Sequence, residues 1–375
     1  MNKRPLYVLI IFMIIIVIVP GCSDRLDMED STNNLALGMD LDKDNNLLVF
    51  LNSPSYGRDI KKKTLEVEVK SLTIRQSREQ QDEFAPGVIT GRKVQVMLIG
   101  KRILEHEDWF RILDVFFRDM KNPLTPRIIA VDGSISDIIY LHPKDQPMLP
   151  LLLRGMVDTK SARSETAKTT LQQLHWQMYE KGVTPYMSEI QLDKAKQIRL
   201  VGIMLLDHKG KYKTSLNTEE TGLLQILNKN AKKPVSFTLP IPGEKKSGPF
   251  HTDHLSISVQ GMKTKIKTSY KQNKFRFDIN IKMPAGITEL LFPFNVRKNG
   301  KELEKMISEH MQKQFDNLIK NIQKHQIDPI GLGLYARAHE YSQYKKVEDH
   351  WGEELSKADI HVSVKVIIGS MGPVK

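Results

Sequence analysis

One cysteine, Cys22, is all that 375 residues contain. No intrachain disulfide can form, so the chain must be held by apolar burial and hydrogen bonding. Its length permits this. A single hydrophobic core stops growing near ~250–300 residues and longer chains divide, so two or three domains are expected. With 40% hydrophobic and 27% charged residues, most of the chain is expected to fold. The formal charge of +12 favours an anionic partner, whether nucleic acid, acidic polymer or phospholipid surface.

The surroundings of Cys22 narrow that choice. Lys3 and Arg4 form a short positive region, and Leu6 to Val19 is an apolar run of fourteen residues. Such a run suits a signal-peptide core and falls short of the ~20 residues that span a bilayer comfortably. Val19-Pro20-Gly21-Cys22 then resembles a bacterial lipobox. A cysteine is the side chain that can accept a diacylglyceryl group as a thioether, and Gly21 gives a peptidase room to cut before it. On this reading residues 1–21 are a signal peptide cleaved between Gly21 and Cys22, Cys22 is lipidated, and residues 22–34 are a polar tether. Two acyl chains anchor a protein stably where one is marginal. The plain alternative is an uncleaved, tilted membrane anchor with an incidental cysteine. In both cases the body lies outside the cytoplasmic membrane with its positive charge facing anionic headgroups, and nucleic acid is not an expected partner.

The body reads as α+β. Two apolar segments flank Asp42-Lys43-Asp44-Asn45-Asn46, the pattern of a β-hairpin. Leu65, Val67 and Val69 alternate with charged residues, and 94–100 and 127–131 read as further strands. Residues 105–120 suit a helix with Trp109, Leu113, Phe116, Phe117 and Met120 on one face, and 164–181 suit another. Residues 76–87 have helical charge patterning without a clear apolar face. Near 195 the texture changes to a strand–turn–strand over 198–217, a short helix with Thr218 as its expected cap, and a strand-rich stretch over 234–283. Residues 299–325 form the longest helix, with Leu303, Ile307, Met311, Phe315, Leu318 and Ile322 in step. A helix near 344–356 and a closing strand follow. The expected units are 35–195 (mixed α/β), 196–295 (β-rich) and 296–375 (α/β).

Chemistry is sought in four places. Asp40, Asp42 and Asp44 have calcium-loop spacing, but Asn45 and Leu51 stand where such a loop needs Gly and Glu, so a solvated turn is expected. Gly331, Gly333 and Ala336 fit a loose dinucleotide fingerprint, but a helix rather than a strand precedes them. His251, Asp253 and His254 could approach a zinc ion, yet no further ligand at suitable spacing accompanies them, and solvated histidines are expected. Trp109, Trp176 and Trp351 are expected in the core. No catalytic residues, cofactor or metal are assigned. A carboxylate-pair glycosidase, whose two acids come from distant positions, stays open at this point.

Several segments together resemble a known family. "NLALGMDLDKD" follows the lipobox; "TEETGLLQILNK" carries Glu220, Gly222 and Leu223; the C-terminal stretch carries Asp328, Gly331, Gly333, Trp351, Ile360, Val362, Val364 and Gly369. This set resembles the Ger(x)C germination lipoproteins, the C subunits of spore germinant receptors in endospore-forming bacilli. The resemblance implies a three-domain mixed α/β ectodomain with no enzymatic activity, anchored by lipid to the outer face of the spore inner membrane. It also implies integral-membrane A and B subunits as partners, with other germination lipoproteins as further candidates, and a role in nutrient-triggered germination. Two rivals are weighed beside it. A solute-binding lipoprotein predicts two doubly wound lobes around a cleft, and a wall-degrading lipoprotein predicts a paired-carboxylate cleft.

Overall fold

The computed structural model describes residue 27 and residues 30–370, apart from 57–60, 144, 232 and 242. Gly21, Cys22 and the apolar run before them lie outside the described residues. Among the described residues, no helix is long and apolar enough to cross a membrane.

The chain is α+β, built on two large sheets and a small two-stranded one. β2 (Ala36–Leu41) and β3 (Leu47–Pro54) form the expected hairpin. Asp42 closes its turn: Oδ1 accepts the N–H groups of Asp44 and Asn46 at 2.8 Å each, and Oδ2 takes Lys70 Nζ at 2.8 Å. β4 (Thr64–Ser71) pairs with β3. β6 (Val96–Gly100), β7 (Arg127–Val131) and β8 (Tyr186–Leu192) run parallel to β2, and the antiparallel β9 (Ile198–Leu206) and β10 (Tyr212–Asn217) complete the order β10-β9-β8-β7-β6-β2-β3-β4. Strand alternation divides the apolar side chains between two faces. Leu37, Met39, Met97, Ile99, Ile128 and Met187 face one core with Trp109 and Leu174; Ala36, Phe50, Leu98 and Ile129 face the other with Ile135, Leu149 and Leu153. The result is three layers, helix–sheet–helix.

Four local expectations are corrected. Residues 31–34, assigned to the tether, belong to the fold. β1 (Ser31–Asn33) pairs in parallel with β5 (Val88–Thr90), and Thr32 and Asn34 are buried. The helix over 105–120 is broken, because Asp108 sits at φ 64°; a 3₁₀ turn (Trp109–Leu113) and a short helix (Asp114–Arg118) follow, leaving Met120 fully exposed. The helix over 164–181 is confined to Leu171–Tyr179, and Trp176 on it is half exposed rather than core. A helix over Leu149–Ala162, not expected from the sequence, lies on the other face of the sheet.

The second sheet is made by β11 (Val235–Pro240), β12 (His254–Val259), β13 (Lys263–Lys271), β14 (Lys274–Leu290) and β15 (Asp359–Ser370). The seventeen-residue β14 is its spine. β13 and β12 pair antiparallel with its first and second halves, and β15 pairs in parallel along the opposite edge. Gln272 and Asn273, both at positive φ, form the two-residue turn between β13 and β14. The long helix Val296–Lys324 lays Leu303, Ile307, Met311 and Phe315 into the same core as Phe275, Phe277 and Ile279 of β14.

The sheets partition the chain differently from the expected boundaries. Residue 195 falls in the β8–β9 turn inside one continuous sheet, since the register carries on from β8 through β9 to β10. The 295/296 line is bridged by β15, which returns to pair with β14.

Candidate functional site: an aspartate hub between the two sheets

The segment Asp328-Pro329-Ile330-Gly331-Leu332-Gly333 follows the long helix and opens the helix Leu332–His339. Gly331, at φ 81°, turns the chain so that three successive N–H groups converge. Asp328 fills that concavity itself. Oδ1 accepts Gly331 N–H at 2.8 Å and Leu332 N–H at 3.0 Å; Oδ2 accepts Gly333 N–H at 2.8 Å and Trp351 Nε1–H at 2.8 Å. The carboxylate is fully buried, so burial pushes its pKa up while these four donors work in the opposite direction. An N–H nest of this kind could cradle phosphate, but here it is occupied from within. This accounts for the dinucleotide-like pattern of Gly331, Gly333 and Ala336 without a nucleotide.

The hub also ties the two sheets together. Asp328 N–H donates to Thr184 Oγ1 at 3.0 Å, and Thr184 N–H donates to Asp328 O at 2.9 Å, just before β8. Gly333 lies against Gly182 so closely that a Cβ on Gly333 would sit 2.6 Å from Gly182 Cα. Outside this contact Arg337 forks onto Glu180 at 2.8 and 3.1 Å, and Lys181 reaches Glu348 at 2.8 Å. Trp351 is enclosed edge-on by Phe275 and Tyr344, with ring centroids 5.1 and 5.3 Å away. The Asp328 carboxylate is fully buried and its oxygens are taken up by the four donors, so what the hub contributes is mechanical, holding two sheets in one relation.

The other sequence candidates separate from this hub. Glu220 belongs to a capping box with Asn217, not Thr218: Asn217 Oδ1 accepts Glu219 and Glu220 N–H, and Glu220 Oε2 accepts Asn217 N–H, at 2.9 Å each. Gly222 lets that helix approach Val235 and Phe237. Asp40 is buried and meets Arg102 at 3.1 Å, whereas Asp42 holds Lys70 at 2.8 Å, so the calcium spacing is not a shared site. The ligand atoms of His251, Asp253 and His254 do lie within 4.8 Å of one another, but the Asp253 carboxylate is already joined to His254 Nδ1 at 2.8 Å. That contact holds the Asp253 pKa below the usual range. Trp109 is buried and donates to Gly210 O at 2.7 Å.

Sequence reasoning missed a polar cluster at the carboxyl ends of the parallel strands, where open α/β sheets place their ligands. Lys101, after β6, meets Asp132, after β7, at 3.0 Å and lies over the Tyr212 ring at 4.8 Å. Burial works against the Lys101 charge, but Asp132 outweighs it and raises the pKa. Glu189 on β8 is buried, which raises its pKa, and its Oε2 has no hydrogen-bond partner. The available signal was charge in or just after otherwise apolar strands: Asp40 in β2, Lys101 after β6, Asp132 after β7 and Glu189 in the middle of β8.

Residues 24–192 match the model of the spore germination protein N-terminal domain, and residues 201–372 match spore germination B3/GerAC like, C-terminal. The chain belongs to the GerAC-like family of spore germination proteins. Two relatives in Bacillus subtilis (strain 168) are similar over nearly their full length. Spore germination protein KC is 19% identical, covering 97% of this chain and 95% of the relative; spore germination protein YndF is 21% identical, covering 100% and 98%. The crystal structure of the GerBC protein superposes with a TM-score of 0.56 at 17% identity, covering 88% of this chain and 96% of that one. Family membership makes the chain a spore germination protein of the GerC type. The junction between the two matched family segments, residues 193–200, spans the β8–β9 turn and the first three residues of β9. The hub joins the second segment back to the first.

Proposed function

We propose that this chain is a non-enzymatic, lipid-anchored subunit of a nutrient germinant receptor, acting with integral-membrane A and B subunits on the outer face of the spore inner membrane. The observation that carries this reading is that two germination family segments tile the chain from residue 24 to residue 372. The sequence supplies the anchoring part, an apolar run of fourteen residues followed by Gly21-Cys22. Cleavage there and lipidation of Cys22 by a palmitate-bearing diacylglyceryl group would hold the body against the bilayer. A tether raises effective concentration, so weak contacts to the A and B subunits suffice for assembly. The body would then bias the receptor by binding one of its states better than the other. The second sheet speaks against the solute-binding rival, because it is mainly antiparallel and does not repeat the doubly wound first sheet.

The test is substitution of Cys22 by Ala in sporulating cells. The expected result is loss of labelled palmitate from the polypeptide, its release from inner-membrane fractions, and loss of nutrient germination. Affinity capture of the native chain should recover polytopic companions. Normal germination with soluble, unlipidated chain overturns the anchoring reading; capture of the chain alone overturns the receptor reading.

A further inference from the structure

The outward face of β13, β14 and β15 carries charge that packing does not explain. Along β14 the inward side chains Phe275, Phe277, Ile279, Ile281 and Met283 are buried against the long helix and Trp351. Their alternates point to solvent. In register across the three strands stand Lys263, Lys282 and Lys365, three ammonium groups side by side. Lys271 and Lys274 pair with each other at the hairpin end, and Lys265 and Lys267 continue the row on β13. The face holds eight Lys or Arg against three acids, Asp278, Asp359 and Glu289, a surplus of five, and Glu289 lies at the far end of β14 from the lysines. Among the described residues its single ion pair is Arg276 with Asp278, at 3.0 Å.

Like charges placed directly opposite each other weaken a sheet. Lysines along an edge strand can be retained to block edge-to-edge pairing, which would account for β13. It does not account for Arg276 and Lys282, because β14 is paired on both sides. A single-stranded nucleic acid would need aromatic rings among the cations for its bases to stack on. The aromatic residues here, Tyr270, Phe275 and Phe277, pack inward. What remains is an open cationic plate about 30 Å long, from nine residues of β13 at about 3.3 Å each.

We propose that this plate docks on anionic phospholipid headgroups and so sets how the body lies on the bilayer. The proposal adds an orientation to the membrane reading above and does not depend on lipidation of Cys22. Polybasic surfaces gain attraction to anionic lipid with each Lys or Arg near it, within a Debye length of about 8 Å at physiological salt.

The test uses residues 23–375, which contain every described element and no lipidation site, with sedimenting vesicles of phosphatidylcholine alone or mixed with phosphatidylglycerol. The chain should co-sediment with the mixed vesicles at low salt, be released by high salt, and ignore the neutral vesicles. The triple variant Lys263→Glu, Lys282→Glu, Lys365→Glu should bind at least about tenfold more weakly while melting within a few degrees of wild type, since it exchanges one row of like charges for another. The triple variant Lys61→Glu, Lys63→Glu, Lys194→Glu, on exposed lysines of the first sheet unit, should bind within about twofold of wild type. Equal binding to neutral vesicles, undiminished binding by the plate variant, or binding to a solubilised receptor subunit with none to vesicles overturns the proposal. Failure of palmitate labelling would not touch it.

Discussion

A buried carboxylate is tolerated only when its lone pairs are filled, and Asp328 shows how this chain achieves that. Three of its four donors are backbone N–H groups and cannot be mutated away, but the fourth is Trp351 Nε1. Trp351→Phe keeps an aromatic ring in the cage but removes that donor and part of the buried indole. It should cost at least about 1.5–3 kcal/mol, the range for hydrogen bonds to charged groups, with a further loss from the cavity left by the smaller ring, measured by equilibrium denaturation. Asp328→Asn turns an acceptor oxygen into a donor facing other donors and should cost more. The double variant should be less destabilised than the sum of the two, since both act on one network. A second residue-scale case is Arg127, nearly buried and forked onto Asp158 at 2.8 and 3.2 Å. Burial works against the charge of Asp158, but Arg127 and Lys168 outweigh it and hold its pKa below the ordinary carboxylate value. A depressed folded pKa contributes stability above the unfolded value of about 3.9 and loses it as pH falls through the folded one. Asp158→Asn should therefore cost about 1–2 kcal/mol near pH 7, modest because Asp158 is a third exposed. The gap from wild type should close as melts are repeated below about pH 3.9.

Elements whose period matched their burial could be read directly. The long helix carries Leu303 through Ile322 on one stripe, and the β2–β3 hairpin announces its turn. Others could not be read in that way. The helix Ile74–Asp82 buries Ser77 and Gln81 beside Ile74, and Gln81 Nε2 donates to Val49 O, so its core face is mostly polar. The helix Leu149–Ala162 begins with a Leu-Pro-Leu-Leu-Leu run that blurs its own stripe. β15 shows a third kind of concealment. Its edge away from β14 is covered by side chains of the long helix one turn apart: Glu304 accepts Ile368 N–H at 2.7 Å, and Ser308 and Gln312 accept Val366 and Val364 N–H at 3.0 Å each. Gln312 also donates to Val362 O at 2.8 Å. An exposed strand edge invites pairing with other chains, and here a polar helix row closes it. Gln312→Ala should cost about 1–3 kcal/mol. Val364 N–H should exchange with deuterium faster than in wild type, with Ile368 N–H less affected.

Across the whole molecule the two sheets share one core. Tyr186, Ile203, Leu205 and Leu216 of the first sheet pack in the same cluster as Phe237, Ile257 and Phe277 of the second. A single cooperative thermal transition is expected, with calorimetric and van't Hoff enthalpies in agreement. Gly333→Ala places a methyl against the Gly182 backbone, which cannot step aside like a flexible side chain. That variant should melt in two steps, or at a temperature well below wild type. A variant that melts as one step at the wild-type temperature would show that the two glycines are not the lock between the sheets.

The sequence by itself determined the absence of disulfides, the α+β character, the long helix, most strands and the family, because each is a local pattern of residue type and spacing. It also held Asp328, Gly331, Gly333 and Trp351 as a set. Only the tertiary structure decided that these four residues converge on one buried carboxylate, that β9 and β10 finish the first sheet, and that three separate lysine-bearing strands align their charges. Those facts depend on register and contact between distant segments, and a linear pattern fixes which face a residue occupies without fixing what lies opposite it.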